Sequence, residues 1–207
     1  MNAKYLTLAI AACLVAALGY WYFFAATMRD IANYPSAGTD IIAFGDSLVA
    51  GVGATEGNDF VSVLSRRIGQ PVVNLGVSGN TSEDGLARLS ELDAHNPKVV
   101  LLLLGGNDYL RKVPLEQTFV NLAKIIESLQ GRGAIVILLG VRGGLLTDGF
   151  EDEFEALAEQ YNTAYVPDVL DGLFAHPQYM TDQVHPNDAG YAKIADRIAP
   201  VLTPLLQ

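Results

Sequence analysis

The chain has 207 residues, half of them hydrophobic, with 13 Lys and Arg against 23 Asp and Glu and a formal net charge of −10. That length holds one domain of ordinary size with residues to spare, and the acidic balance repels phosphate backbones, which argues against nucleic acid as a partner. The single cysteine, Cys13, excludes an intramolecular disulfide and a thiolate metal cluster.

In chain order the first feature is "YLTLAIAACLVAALGYWYFFAATM", 24 residues without a charge between Lys4 and Arg29. As a helix rising about 1.5 Å per residue it would cross a hydrocarbon core of about 30 Å. Tyr20, Trp21 and Tyr22 near its far end fit an interfacial aromatic belt. A cleaved secretory leader has a shorter apolar core and a small-x-small site after it, whereas Phe23 and Phe24 stand where small residues would be wanted. A lipoprotein reading through Ile10–Cys13 leaves a very short apolar run before Cys13. The expectation is therefore a transmembrane anchor or uncleaved signal over 1–28, with its short polar head inside and the remaining chain outside. Residues 29–39, "RDIANYPSAGT", have Pro, Gly and Ser without periodicity and read as a linker to a domain over 40–207.

Beyond the linker, short apolar runs alternate with amphipathic stretches. The runs are "IIAF" (41–44), "VVNL" (72–75), "VVLLLL" (99–104), "AIVILL" (134–139) and the weaker "AYV" (164–166). Continuous β-branched and leucine runs indicate strands buried on both faces. Helices are predicted at about 59–68, 83–94, 116–130, 151–161 and 188–202; in the third, Phe119, Leu122, Ile126 and Leu129 recur at helical spacing before a stop at Gly131. Five alternations predict an α/β fold, a parallel five-stranded sheet with helices on both faces. In such sheets ligands bind beyond the carboxyl ends of the strands.

The chemically loaded residues fall just after these strands. "GDSL" follows the first and carries Ser47; "NLGVSGNT" follows the second and carries Gly79; "GGND" follows the third and carries Asn107; "DQVHP", beyond the fifth, carries Asp182 and His185. Each has a plainer explanation alone. Asp46 or Ser47 could cap a helix, Gly79 could serve a turn, Asn107 could bond its own backbone, and His185 could be a surface histidine, as His95 and His176 are read to be. Together they supply what acyl transfer by serine needs: a hydroxyl, a base, a group orienting the base, and donors for a developing oxyanion. The chain has no GxSxG elbow, no GK[ST] phosphate loop and no His/Cys spacing for zinc.

In order along residues 40 to about 200, "GDSL", the Gly of "VSGNTS", the Asn of "GGND" and the "DxxH" of "DQVHP" resemble the four blocks of the SGNH hydrolases, also called the GDSL family. "GLARL" and "HPNDAGY" are similar to the bacterial multifunctional thioesterases, lysophospholipases and arylesterases within it. The resemblance implies a flavodoxin-like three-layer αβα sandwich and a serine esterase acting on small-molecule acyl esters or thioesters without metal or organic cofactor. It implies Ser47 as nucleophile, His185 as base, Asp182 as its orienter, and an oxyanion hole made by the Ser47 and Gly79 N–H groups with the Asn107 side chain. Alternatives are a carbohydrate O-deacetylase of the cell envelope and a catalytically silent binding domain on a membrane stalk. With a bacterial relative in view, the amino terminus predicts a single-pass inner-membrane protein whose domain lies in the periplasm or outside, or else secretion to the periplasm after cleavage. The loops at about 141–150 and 172–181 are expected to wall the acyl pocket, while acyl length, leaving group and oligomeric state are left open.

Overall fold

The structure, a computed structural model, describes residue 5 and residues 30–142 and 149–207. Its centre is a parallel sheet of β1 (Asp40–Gly45), β2 (Val72–Gly76), β3 (Pro97–Leu103), β4 (Ile135–Leu139) and β5 (Ala164–Val166), in the order β2-β1-β3-β4-β5. This is the expected α/β sandwich of flavodoxin-like order, in which strand order reverses at β1 and β3. Past Asp40 in β1 and Lys98 in β3, these two strands and the whole of β4 are apolar and buried on both faces, as helices on each side require. The half-exposed β2 departs from the expectation of full burial because it forms a sheet edge, where Asn74 turns its amide to the Val49 carbonyl at 2.7 Å.

After β1 comes a four-residue helix, α1 (Ser47–Ala50), then α2 (Phe60–Ile68), capped by Asp59 through Ser62 N at 2.9 Å. α3 (Ser82–Ala87) follows β2, α4 (Gly106–Leu110) and α5 (Leu115–Gly131) follow β3, α6 (Phe150–Tyr161) follows β4, and α7 (Asp188–Leu202) comes after β5 and runs into a 3-10 turn over Thr203–Leu206. α2 packs against α7 on one face, while α3 packs on α5 and α5 on α6 on the other, the arrangement that right-handed crossovers impose. Phe44, Phe60, Leu101, Leu122, Phe154 and Tyr191 are among the fully buried side chains of the core; each such burial contributes about 1.5–3 kcal/mol.

The single helix expected over 83–94 is two pieces. α3 ends at Arg88, whose backbone leaves helical geometry, and Leu89–Ala94 continue as a 3-10 turn. The break serves the side chain of Arg88: its guanidinium reaches the carbonyls of Gly45 at 2.8 Å and Leu75 at 3.0 Å and lies 4.0 Å over the Phe44 ring. Residues 30–39, read as a linker, lie along the amino-terminal end of β4: Asn33 donates to the Gln130 and Ala134 carbonyls at 2.9 Å, and Ile31 and Tyr34 pack on the core. Among the described residues no helix is long and apolar enough to cross a membrane. The uncharged run expected to do so lies outside them apart from Tyr5.

Candidate active site

Ser47 is the first residue of α1, and the residue capping that helix is its neighbour: Asp46 Oδ1 accepts from Leu48 N at 2.9 Å. The Ser47 hydroxyl, relieved of capping, lies 3.0 Å from His185 Nε2. His185 Nδ1 lies 2.8 Å from Asp182 Oδ2, and Asp182 Oδ1 accepts from the backbone N–H groups of Val184 and His185, both at 2.8 Å. One Asx-type turn therefore holds the carboxylate against the imidazole, over the three-residue spacing visible in the sequence.

The turn is itself held in place. Thr181 N donates to the His185 carbonyl at 2.8 Å, Thr181 Oγ1 donates to the Gly53 carbonyl at 2.9 Å, and Tyr191 OH donates to the Val52 carbonyl at 2.7 Å. Gly53 is required at this contact. A Cβ there would stand 2.5 Å from the Pro186 carbonyl oxygen and 3.3 Å from His185 Cβ, and its φ is +95°.

Gly79 and Asn107 approach from the other side of Ser47. Gly79, at φ +83°, sits in a turn closed by Asn80 N donating to the Val77 carbonyl at 3.2 Å; glycine adopts such a conformation without strain. Arg111 donates to the Gly79 carbonyl at 2.8 Å, and Arg88 Nε donates to Asn80 Oδ1 at 2.6 Å. Asn107 stands in the first turn of α4, rather than in the Gly-rich turn that the sequence also allowed, and donates through Nδ2 to the Asn80 carbonyl at 3.0 Å. The same Nδ2 lies 3.3 Å from Asp46 Oδ2. As the first residue of α1, Ser47 has a backbone N–H with no acceptor inside the helix.

Beneath this shell, Asp108 is fully buried. Its Oδ2 accepts from Ser82 N at 2.8 Å and its Oδ1 from Thr118 Oγ1 at 3.3 Å, while Asn121 Nδ2 reaches Ser82 Oγ at 3.1 Å. The network ties the start of α3 to α4 and α5, so the Gly79 turn and Asn107 are fixed to one another through buried polar groups.

Ser47, Gly79, Asn107 and His185 line one cleft of about 300 Å³, walled by Leu48, Tyr109, Leu110, Val141, Leu170, Phe174 and Val184, with Arg142 at its edge. Of the two loops expected to wall the pocket, Val141 and Arg142 come from the first and Phe174 from the second; residues 143–148 lie outside the described residues. Tyr109 is braced edge-on against Phe150, which contacts Phe119 in the core. A hollow of about 400 Å³ beside Ile31, Ala158 and Tyr165 belongs to the opposite end of the sheet and holds none of these groups.

Asp182 is held down to about 2, first by the Val184 N–H and then by His185, so it is ionised throughout the neutral range. Burial pushes Asp46 up to about 6 against the opposing pull of the Leu48 N–H and His185. The sequence offers Asp46 as a helix cap, and it is one; the sequence points to no role at the site for Asp46, Asp108, Arg88 or Arg111. Asp46 and Asp108 adjoin Ser47 and Asn107 inside "GDSL" and "GGND", and Arg88 lies inside "GLARL", which are usable signals; nothing local marks Arg111.

A profile of the GDSL-like lipase/acylhydrolase family matches residues 43–193. The chain belongs to this family, and it is a hydrolase of acyl esters. It is 34% identical over 183 residues to an esterase, TesA of Pseudomonas aeruginosa, covering 83% of this chain and 91% of the relative. It is 32% identical over 180 residues to the thioesterase 1/protease 1/lysophospholipase L1 of Escherichia coli, covering 83% and 86%. A crystal structure of TesA superposes with a TM-score of 0.76 at 33% identity over 81% of this chain and 99% of that one. AlinE4, an SGNH-hydrolase family esterase, superposes at 0.64 with 32% identity over 83% and 100%.

Proposed function

We propose that this chain is a serine esterase of the arylesterase, thioesterase or lysophospholipase type, cleaving small acyl esters or thioesters through an acyl-enzyme. The observation that carries the reading is the unbroken line of hydrogen bonds from Ser47 Oγ through His185 to Asp182, opening on an apolar cleft. Asp182 fixes the tautomer with the proton on Nδ1, leaving Nε2 to accept from the serine. Ser47 Oγ attacks the acyl carbonyl as Nε2 takes its proton, and the oxyanion is met by the Ser47 and Gly79 N–H groups and Asn107 Nδ2. The imidazolium then gives its proton to the departing alkoxide, phenolate or thiolate. Water, deprotonated by the same nitrogen, releases the acid and restores Ser47. Asp182 stays ionised throughout and stabilises the imidazolium.

The reading extends to the amino terminus, where the 24 uncharged residues are a tether or a leader. Because residues 30–39 lie along the end of the sheet away from the cleft, a tethered domain would turn its cleft from the membrane and take dispersed substrate. The test is a ladder of nitrophenyl esters and acyl thioesters, acetyl to long-chain, assayed on membrane and soluble fractions of cells expressing the full chain. Ester and thioester turnover that disappears in Ser47→Ala supports the chemistry, and its location in membranes with an intact N-terminal mass supports the tether. Turnover unchanged in Ser47→Ala overturns the first, and a shortened soluble enzyme overturns the second alone.

A further inference from the structure

Arg142 is the only permanent cation among the residues lining the cleft. It also lines a hollow of about 370 Å³ behind the cleft, with Glu151, Asp168 and Arg197, and among the described residues it alone is shared by the two linings. The guanidinium therefore stands in the wall between them. Its Nη2 lies 3.2 Å from a Glu151 carboxylate oxygen and its Nε 3.5 Å from Asp168 Oδ2. Both carboxylates take the edge formed by Nε and Nη2, and Nη1 has no acceptor among the described residues. Neither carboxylate lines the cleft, so the edge they leave free is the one turned toward it. A guanidinium donates and never accepts, and only an oxygen acceptor can use these N–H groups.

An arginine at a cleft ordinarily suggests an anionic ligand, but here the charges cancel. A negative group about 4 Å from the guanidinium would stand about twice as far from each of the two carboxylates behind it, and because Coulomb energy falls as 1/r the attraction and the two repulsions come out equal. Arg197 and Asp171, also behind the cleft, offset one another. The formal charge of −10 on the chain leans against an anion as well. What remains is the hydrogen bond itself, which a neutral oxygen takes without repulsion.

To protonate the leaving atom, His185 Nε2 must stand beside it, so the leaving group lies on the His185 side of Ser47 and the acyl group against the opposite wall. His185 precedes α7, on the sheet face of α2 and α7, whereas Glu151 holds Arg142 from the first turn of α6 on the other face. In the strand order, Arg142 follows β4 and Ser47 follows β1, two strands apart, or about 10 Å at the usual spacing. An acceptor that reaches Arg142 therefore sits several bonds from the scissile carbonyl.

We propose that Arg142 ends the acyl subsite and that its free N–H groups recognise a neutral oxygen acceptor, a keto, amide or ester carbonyl, carried near the far end of a medium-length acyl group. The inference rests on the reading of Ser47 as the nucleophile that accepts the acyl group. It makes oxygenated acyl esters, rather than plain alkyl ones, the preferred substrates of the cleft.

The test measures kcat/KM of the full-length protein on nitrophenyl esters matched in chain length: hexanoate, 5-oxohexanoate and the monoester of glutaric acid, whose free end is a carboxylate, with longer homologues of each. The oxo ester should exceed the plain one by about five- to tenfold, the scale of one hydrogen bond to a charged donor, and the carboxylate should show no such gain. In Arg142→Met the ratio of oxo to plain ester should fall to about one. Glu151→Gln removes one of the two repulsions and leaves Arg142 in place, so it should raise the carboxylate ester a few-fold relative to the oxo ester, a change that a purely structural arginine would not produce. Should Arg142→Met not fold, the wild-type and Glu151→Gln comparisons stand without it. Equal rates on oxo and plain esters at every length, or an oxo preference that survives in Arg142→Met, overturn the role of Arg142 while leaving the serine chemistry intact. A carboxylate ester that outruns the oxo ester in the wild type overturns the neutral-acceptor assignment. Turnover of none of these esters, or turnover that persists in Ser47→Ala, overturns the acyl-transfer reading beneath it.

Discussion

Two carboxylates serve the cleft from opposite sides, and the fold treats them in opposite ways. Asp182, in the turn before α7, has a side chain 52% exposed and accepts two backbone N–H groups and the imidazole, so its charge is welcome. Asp46, between β1 and α1, is 3% exposed, accepts one backbone N–H and one carboxamide contact, and carries its charge against the cost of burial. Their proton affinities move accordingly, to about 2 and about 6. Burial weighed against hydrogen-bond supply decides how easily an acid stays ionised beside a serine: burial dominates at Asp46 and backbone N–H groups dominate at Asp182.

The largest expected effect is on the Asp182 side. His185→Ala should lose turnover on the order of a millionfold and Asp182→Ala roughly ten-thousandfold, with the double variant no worse than His185→Ala, because the residues act as a unit. Steady-state kinetics at saturating ester decides this. Fully additive losses would mean that Asp182 acts elsewhere and would break the comparison.

A smaller effect sharpens the Asp46 side. Its folded pKa, about 6, lies above the ordinary value of 3.8. As pH rises from about 4 to 6 the unfolded chain gives up this proton before the folded one does, so stability is lost over that window. The full shift corresponds to at most about 3 kcal/mol. Asp46→Asn has no such proton, so its stability relative to wild type should rise between pH 4 and pH 7, read by urea unfolding. For Asp182 the sign is reversed: its contribution is present above about 4 and lost as pH falls toward 2, and its exposure keeps it small. A pH-independent difference between wild type and Asp46→Asn would show that Asp46 is not held against its charge.

Much of this was legible in the sequence. The buried strands announce themselves as unbroken runs such as that over 99–104, and the rule that ligands gather at the carboxyl ends of strands brings Ser47, Gly79, Asn107 and His185 to one rim from the sequence alone. The Asp182–His185 pair could be read because three residues of one turn suffice to join them. The rest depends on atoms distant in sequence. The break at Arg88 exists because its guanidinium binds carbonyls of β1 and β2, and the order of the Gly79 turn depends on Asp108 meeting Ser82 across 26 residues. Short α4 has no room for a helical period, so Asn107 looked like part of a turn.

Ser47 Oγ is the atom on which the proposed chemistry depends. A fluorophosphonate probe incubated with the full-length protein, followed by peptide mass spectrometry, should place one phosphonyl adduct on Ser47, with labelling slowed severely in His185→Ala and absent in Ser47→Ala. An adduct on another residue, or labelling that persists in Ser47→Ala, would contradict it.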